Sequence, residues 1–193
     1  MARATAAEAA ATASRVRDAA MLRFAAHGFD AASVDDIAAD AGVTRGAVYH
    51  HYASKPGLFL AVVDDLQQQI AAAVVAAADA ASSPAESLRL GSHAFLDAIT
   101  EGSAAQVLLI DAPRALGWQQ WRKADAAASG AHLREALLTA GVPASDVDAA
   151  TALLSGAMNE SALWLSERPD DPDAREAAHR ILDILLDATV TQT

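Results

Sequence analysis

Val34-Asp-Asp-Ile-Ala-Ala-Asp-Ala-Gly-Val-Thr-Arg-Gly-Ala-Val-Tyr49, followed by His50-His51-Tyr52, decides the fold. Ser33 just before it is a natural N-cap, with Asp36 three residues on, a weaker relative of the capping box. The helix it opens is expected over Val34–Ala41 and stops at Gly42, which can take positive φ and reverse the chain in a three-residue turn. Thr44 caps the next helix, expected to reach Tyr52. Ala38 falls where two helices would cross, and only a small side chain fits there. Ile37, Val43 and Val48 are placed to pin the second helix on the first. This spacing of small, Gly and apolar residues is the helix-turn-helix pattern.

Working outward, Val16, Ala19, Ala20, Leu22, Phe24 and Ala26 give a first helix over Ser14–His27, ended by Gly28. Ser54 caps a long helix with Pro56 in its first turn, where a missing N–H costs nothing, and apolar residues carry it to Ala78. Ser83-Pro84-Ala85-Glu86 starts another, to Thr100. Residues 104–128 read as helix interrupted near Asp111-Ala112-Pro113, and 130–140 as a further helix. Ser145 with Asp148 opens one to Ser166, and Asp171-Pro172 opens the last, to Val190. Nothing reads as a strand, and no internal repeat is found. The expectation is an all-α chain of about nine helices, three short ones and then a larger bundle joined by the helix that begins at Pro56.

Composition agrees with helix. The 193 residues are 53 % hydrophobic and only 5 % aromatic, rich in Ala and Leu with few β-branched runs. There is no cysteine, which excludes disulfides and thiolate-held zinc and suits a reducing cytoplasm. Met1–Ala13 lacks the continuous apolar core of a signal peptide. The longest apolar run, Ile70–Ala78, is far short of the ~20 residues of a membrane span, so a soluble protein is expected. There is no phosphate loop, no H-E-x-x-H and no G-x-S-x-G, and the six histidines show no metal spacing beyond the adjacent pair. No cofactor, metal or catalytic residue is implied.

The net charge of −11 argues at first against a nucleic-acid partner. Its distribution weakens that objection. Residues 1–56 hold six basic and six acidic side chains, so the remainder carries the whole −11. A neutral head on an acidic body can meet DNA in one orientation. An αα-hairpin within a bundle has a similar spacing, but the exposed positions weigh against it. Thr44, Arg45, Gly46, Tyr49, His50, His51, Ser54 and Lys55 suit phosphates and base edges, and none is acidic.

Gly42-Val-Thr-Arg-Gly-Ala-Val-Tyr-His-His-Tyr-Ala-Ser-Lys55 resembles the hallmark segment of the tetracycline-repressor (TetR) family of bacterial regulators. Phe24-Ala-Ala-His-Gly-Phe29 and Ser33-Val-Asp-Asp-Ile-Ala match the same family, so the resemblance is close over residues 14–59. It implies a homodimer on double-stranded DNA with an inverted-repeat operator, and a body with a small-molecule pocket. Residues 1–13 would be a flexible extension, 14–56 the DNA-binding domain, and 57–193 the ligand-binding and dimerisation domain. By position, Thr44, Arg45 and Gly46 would face bases. Tyr49, His51, Ser33 and Lys55 would contact the backbone, with His50 beside them. Tyr52 stands where Phe is commoner, and Pro56 where an acidic or polar residue is common.

The body speaks less clearly. Trp118 and Trp121 lie three apart on one helix face; inter-helix packing explains them first, and pocket walls second. With Phe95 and Met158 they would make a hydrophobic or aromatic effector site, and His93, Asp111, Arg114, Asn159 and Glu160 are candidate polar anchors. The last two helices are apolar on more than one face, which suggests a partner copy or a thicker core. The function expected is a DNA-binding regulator, a repressor released by a ligand. An all-α enzyme and a dimeric ligand-binding module are the alternatives.

Overall fold

A computed structural model describes residues 5–190. Ten α-helices follow one another in this range: α1 (Ala6–Ala31), α2 (Val34–Asp40), α3 (Arg45–Tyr52), α4 (Lys55–Ala78), α5 (Pro84–Thr100), α6 (Ala112–Leu116), α7 (Trp118–Asp125), α8 (Ala131–Thr139), α9 (Val147–Ser166) and α10 (Pro172–Val190). Two wider, π-wound turns lie between them, Gln106–Asp111 and Ala126–Gly130. Among the described residues there is no strand.

The chain starts its first helix earlier than expected. Thr5 accepts from the Glu8 amide while Glu8 reaches back to the Thr5 amide, a complete capping box. Most of the extension expected over 1–13 is therefore helical from Ala6, and residues 1–4 lie outside the described range. Gly28 breaks this helix as expected, with φ 72°. At the end of α2, Gly42 takes φ 65°. Its amide donates to Ala39 O and that of Val43 to Ala38 O, at 3.1 and 2.9 Å. This pair of hydrogen bonds satisfies two of the last carbonyls and turns the chain directly into α3.

Two local expectations fail in the body. Pro113 does not interrupt helix 104–128. A π-wound turn precedes it, in which the Ala112 amide reaches Val107 O. In that winding Leu108 O would await the N–H of residue 113, which proline lacks. The Trp121 indole supplies the missing donor at 2.7 Å. The real break is Gly117, at φ 84°. Likewise Ser145 is not the cap of α9, which starts at Val147 after Asp146 and makes no side-chain cap bond.

The head's core joins α1, α2, α3 and the start of α4. Val16, Ala20, Phe24, Ile37, Ala38, Val48, Leu58 and Phe59 are buried in it. Phe59 meets Phe24 edge-on at 5.0 Å between centroids and Phe29 at 4.8 Å. By length and composition alone α4 could cross a membrane. However, Asp64 and Asp65 interrupt it, and Leu58, Phe59, Val62, Val63 and Ile70 are buried, as in a core helix packed between α1 and α5. At the far side, α9 and α10 leave Leu153, Trp164, Ile181, Ile184 and Leu185 exposed.

Candidate functional site

Caps define the helix ends that face outward in the head. Ser33 accepts from the Asp35 amide at 3.2 Å, and Thr44 from the Ala47 amide at 3.2 Å. Each bond uses an acceptor lone pair and leaves the hydroxyl hydrogen free to donate. Arg23 holds both oxygens of Asp40, at 2.5 and 3.0 Å, which ties α1 to α2. The same contact draws the Asp40 carboxyl below its ordinary pKa.

Arg45 at the first position of α3 is exposed. Its guanidinium donates to Asp35 at 2.7 Å and to the Tyr49 hydroxyl at 3.3 Å, and it lies over the Tyr49 ring. It is thus held by one carboxylate and one ring, beside Gly46, where only Thr44 Oγ1 comes near. Tyr49 is half-buried against the core, His50 is exposed and His51 is half-buried with its ring beside that of His50. Lys55 extends over Phe29 and donates to Asp30 O at 3.0 Å. All nine head residues named from the sequence, Ser54 included, therefore fall on α3, in its flanking turns, or at the starts of α2 and α4. From residue 41 to residue 63 there is no acidic side chain.

The turn from α3 to α4 is tight. Ala53 takes φ 61° and ψ −39°, and the Ser54 amide reaches Tyr52 O at 2.6 Å, closing a three-residue γ-turn. Gly57 then passes so close that a Cβ on it would stand 2.2 Å from Tyr52 O. The sequence reading overlooked Gly57, since its neighbour is set by the turn and not by helix spacing.

In the body, a cavity of about 500 Å³ opens between α4, α5, α8 and α9. Of the body residues named from the sequence, Phe95 and Met158 line it. The other anchors and walls named from the sequence do not. Trp121 is buried and spends its indole on Leu108, whereas Trp118 is exposed under Arg122. Asp111 is buried near Gly28, accepts from Gln106 at 3.2 Å, and leaves its second oxygen without a partner. Arg114 is exposed at the end of α6, and Asn159 is half-buried with its amide oxygen unpaired. Glu160 lines a separate groove between α9 and α10, and His93 bonds to α10. The walls are instead small and aliphatic residues such as Val74, Leu88, Gly91, Ser92 and Leu133, with Asp79 and Glu135 as the charged groups.

Residues 16–62 match the family described as bacterial regulatory proteins, tetR family, and residues 85–189 the tetracyclin repressor-like C-terminal domain. The chain belongs to the TetR family. Among curated TetR-like relatives, the HTH-type transcriptional regulator SrpR of Pseudomonas putida is 49 % identical over 70 residues, covering 36 % of this chain and 33 % of SrpR. The HTH-type transcriptional repressor KstR2 of Mycolicibacterium smegmatis is 33 % identical over 97 residues, covering 50 % of this chain and 47 % of KstR2. The chain thus spans about a fifth to a half of the length of the curated relatives it matches. A solved TetR-family regulator from Pectobacterium atrosepticum superposes with a TM-score of 0.74 at 27 % identity, covering 96 % of this chain and 97 % of that one. The TetR match therefore takes in both the head and the body helices.

Proposed function

We propose that this TetR-family chain is a transcriptional repressor. As a homodimer it binds an inverted-repeat operator through α3, and a hydrophobic or aromatic small molecule releases it. The observation that carries this reading is the exposed face of α3. In a chain of net charge −11, Thr44, Arg45, Gly46 and His50 are exposed on α3 or at its start and Lys55 follows at the start of α4, with no acidic residue from 41 to 63 and Asp35 of α2 paired with Arg45. A recognition helix enters the major groove with its N-terminal residues on base edges, and two-fold partners place such helices about 34–36 Å apart. The exposed apolar residues of α9 and α10 supply the self-complementary face.

Control follows from α4. Its first turns build the head core through Leu58 and Phe59, and its last turns wall the cavity through Val74, Val75 and Ala78. A ligand that shifts the far end moves the near end, and with it α3. It drives release only as far as its affinity differs between the two arrangements. The cavity lining holds Asp79, Glu135 and His132 but no Lys or Arg, which favours an uncharged or cationic ligand over an anion.

Selection from a random duplex pool followed by mobility shift tests the reading. A palindrome should emerge; recovery of no preferred duplex would support the enzyme or ligand-module alternative instead. Calorimetric titration of the complex then tests control, because an inducing ligand must bind the complex more weakly than the free protein. Within the selected site, Arg45→Ala should weaken binding about tenfold or more and relax preference at one base pair per half-site. An equal loss on every duplex would make Arg45 a backbone contact.

A further inference from the structure

Two segments far apart in the chain carry the same spacing of three unlike side chains. In α5 they are Arg89, His93 and Asp97, and in α10 Arg175, His179 and Asp183. Four-residue steps put each set on one helix face. The helices run antiparallel, so the sets meet head to tail. Arg89 donates to Asp183 at 2.6 Å, and Arg175 pairs with Asp97. At the centre the imidazoles face each other, Nδ1 to Nδ1 at 2.6 Å, with ring centroids 4.8 Å apart. Their outer nitrogens rest on the carboxylates, His93 Nε2 on Asp183 at 2.8 Å and His179 Nε2 on Asp97 at 3.1 Å. Arg89 also reaches Asp187, and Arg175 donates to the Thr100 hydroxyl at 3.1 Å.

This geometry counts protons. An ionised carboxylate only accepts, so each Nε2 carries hydrogen. With no further proton, two nitrogen lone pairs would face each other at 2.6 Å. With two, two N–H groups would collide. One proton between the rings makes an N–H···N bond. It also leaves Arg89, Arg175, Asp97, Asp183, Asp187 and the pair with no net charge. The Asp183 carboxyl sits below its ordinary pKa. Burial acts to raise it, but the hydrogen bonds and charges of His93 and Arg89 outweigh that. Those five charged groups are the ones that hydrogen bonds of α5 and α10 link to the pair, directly or through a carboxylate or guanidinium. Among the described residues, the two Arg-His-Asp sets make no hydrogen bond or ion pair to any other element.

The ladder joins two working surfaces. On α5, Ser87, Leu88, Gly91 and Phe95 wall the cavity. On α10, Ile181, Ile184 and Leu185 are exposed. We propose that the twofold Arg-His-Asp ladder is a one-proton clamp fixing α10 against α5, and that a second proton opens it and loosens the dimer in acid. The last step rests on the dimer reading above.

Sedimentation of the full chain between pH 8 and pH 5, roughly the range in which imidazole titrates, tests the clamp. If each protomer takes up one proton on release, the dimer dissociation constant should rise about tenfold or more from pH 7 to pH 5. The double variant His93→Gln, His179→Gln should keep the pH 7 affinity within about threefold and lose the acid response. A native chain without acid response, or a variant that keeps it, overturns the proposal. Should the variant not fold, ¹⁵N-histidine spectra of the native chain decide: coupling between the two Nδ1 atoms at pH 7, lost at pH 5, supports the clamp, and its absence at pH 7 refutes it. A chain that is monomeric at every pH refutes the dimer reading instead, and the same spectra then judge the clamp alone.

Discussion

Phe59→Ala is expected to cost about 3–5 kcal/mol, the range for truncating a buried aromatic ring. Phe59 is fully buried and sits edge-on to Phe24 while also touching Phe29. It is a side chain by which α4 closes on the head core, so its loss leaves a cavity against the rings of Phe24 and Phe29. Against a typical total stability of about 5–15 kcal/mol, the loss is a third or more. Urea unfolding at constant slope would show it as a lower midpoint. Phe59→Leu, which keeps most of the volume, should cost far less. A change below about 1 kcal/mol for the alanine variant would mean that α4 does not hold the head as described.

Gly57→Ala is the second large effect. A single methyl there meets the backbone oxygen of Tyr52 at 2.2 Å, and no side-chain rotation relieves a backbone clash. Overpacking of this kind costs about 1–3 kcal/mol, and more where the backbone is already strained. Ala53 at φ 61° makes it so. The expected loss is about 3 kcal/mol by urea unfolding, together with weaker operator binding because α3 must shift. Gly46 offers the contrast. A Cβ there meets only Thr44 Oγ1, at 3.8 Å. Gly46→Ala should therefore raise stability by about 0.5 kcal/mol and still weaken DNA binding, because in the proposed operator complex the methyl would stand where DNA approaches. Equal destabilisation by both variants would remove the distinction between a packing glycine and an interface glycine.

The head was legible because its determinants are local. A small residue at a crossing, a glycine at a reversal and hydroxyls at helix starts each act within four residues, and the structure places Ala38, Gly42, Ser33 and Thr44 in those roles. The body was read less well for a physical reason. Its cavity is made by side chains that are short, such as Ser87, Gly91 and Ser92, whereas the sequence reading reached for large aromatic ones. Trp118 and Trp121 drew attention by size, yet Trp121 answers a carbonyl that proline leaves open thirteen residues earlier. The Arg-His-Asp ladder was visible in principle, as two equal helical spacings, but only the pairing of α5 with α10 gives the spacing meaning.

The γ-turn at Ala53 and the packing at Gly57 bear on how such proteins can be recombined. The last residue proposed to face DNA is Lys55, so a seam between residues 56 and 57 looks natural to anyone building hybrids. Such a seam would part Tyr52 from the glycine that fits beneath its carbonyl, and the head from Leu58, Phe59 and Val62. The interchangeable module is longer than the surface it presents. A hybrid that keeps residues 14–63 together should carry its operator preference to a foreign body, whereas one joined at 56 inherits the recognition helix without the joint that aims it.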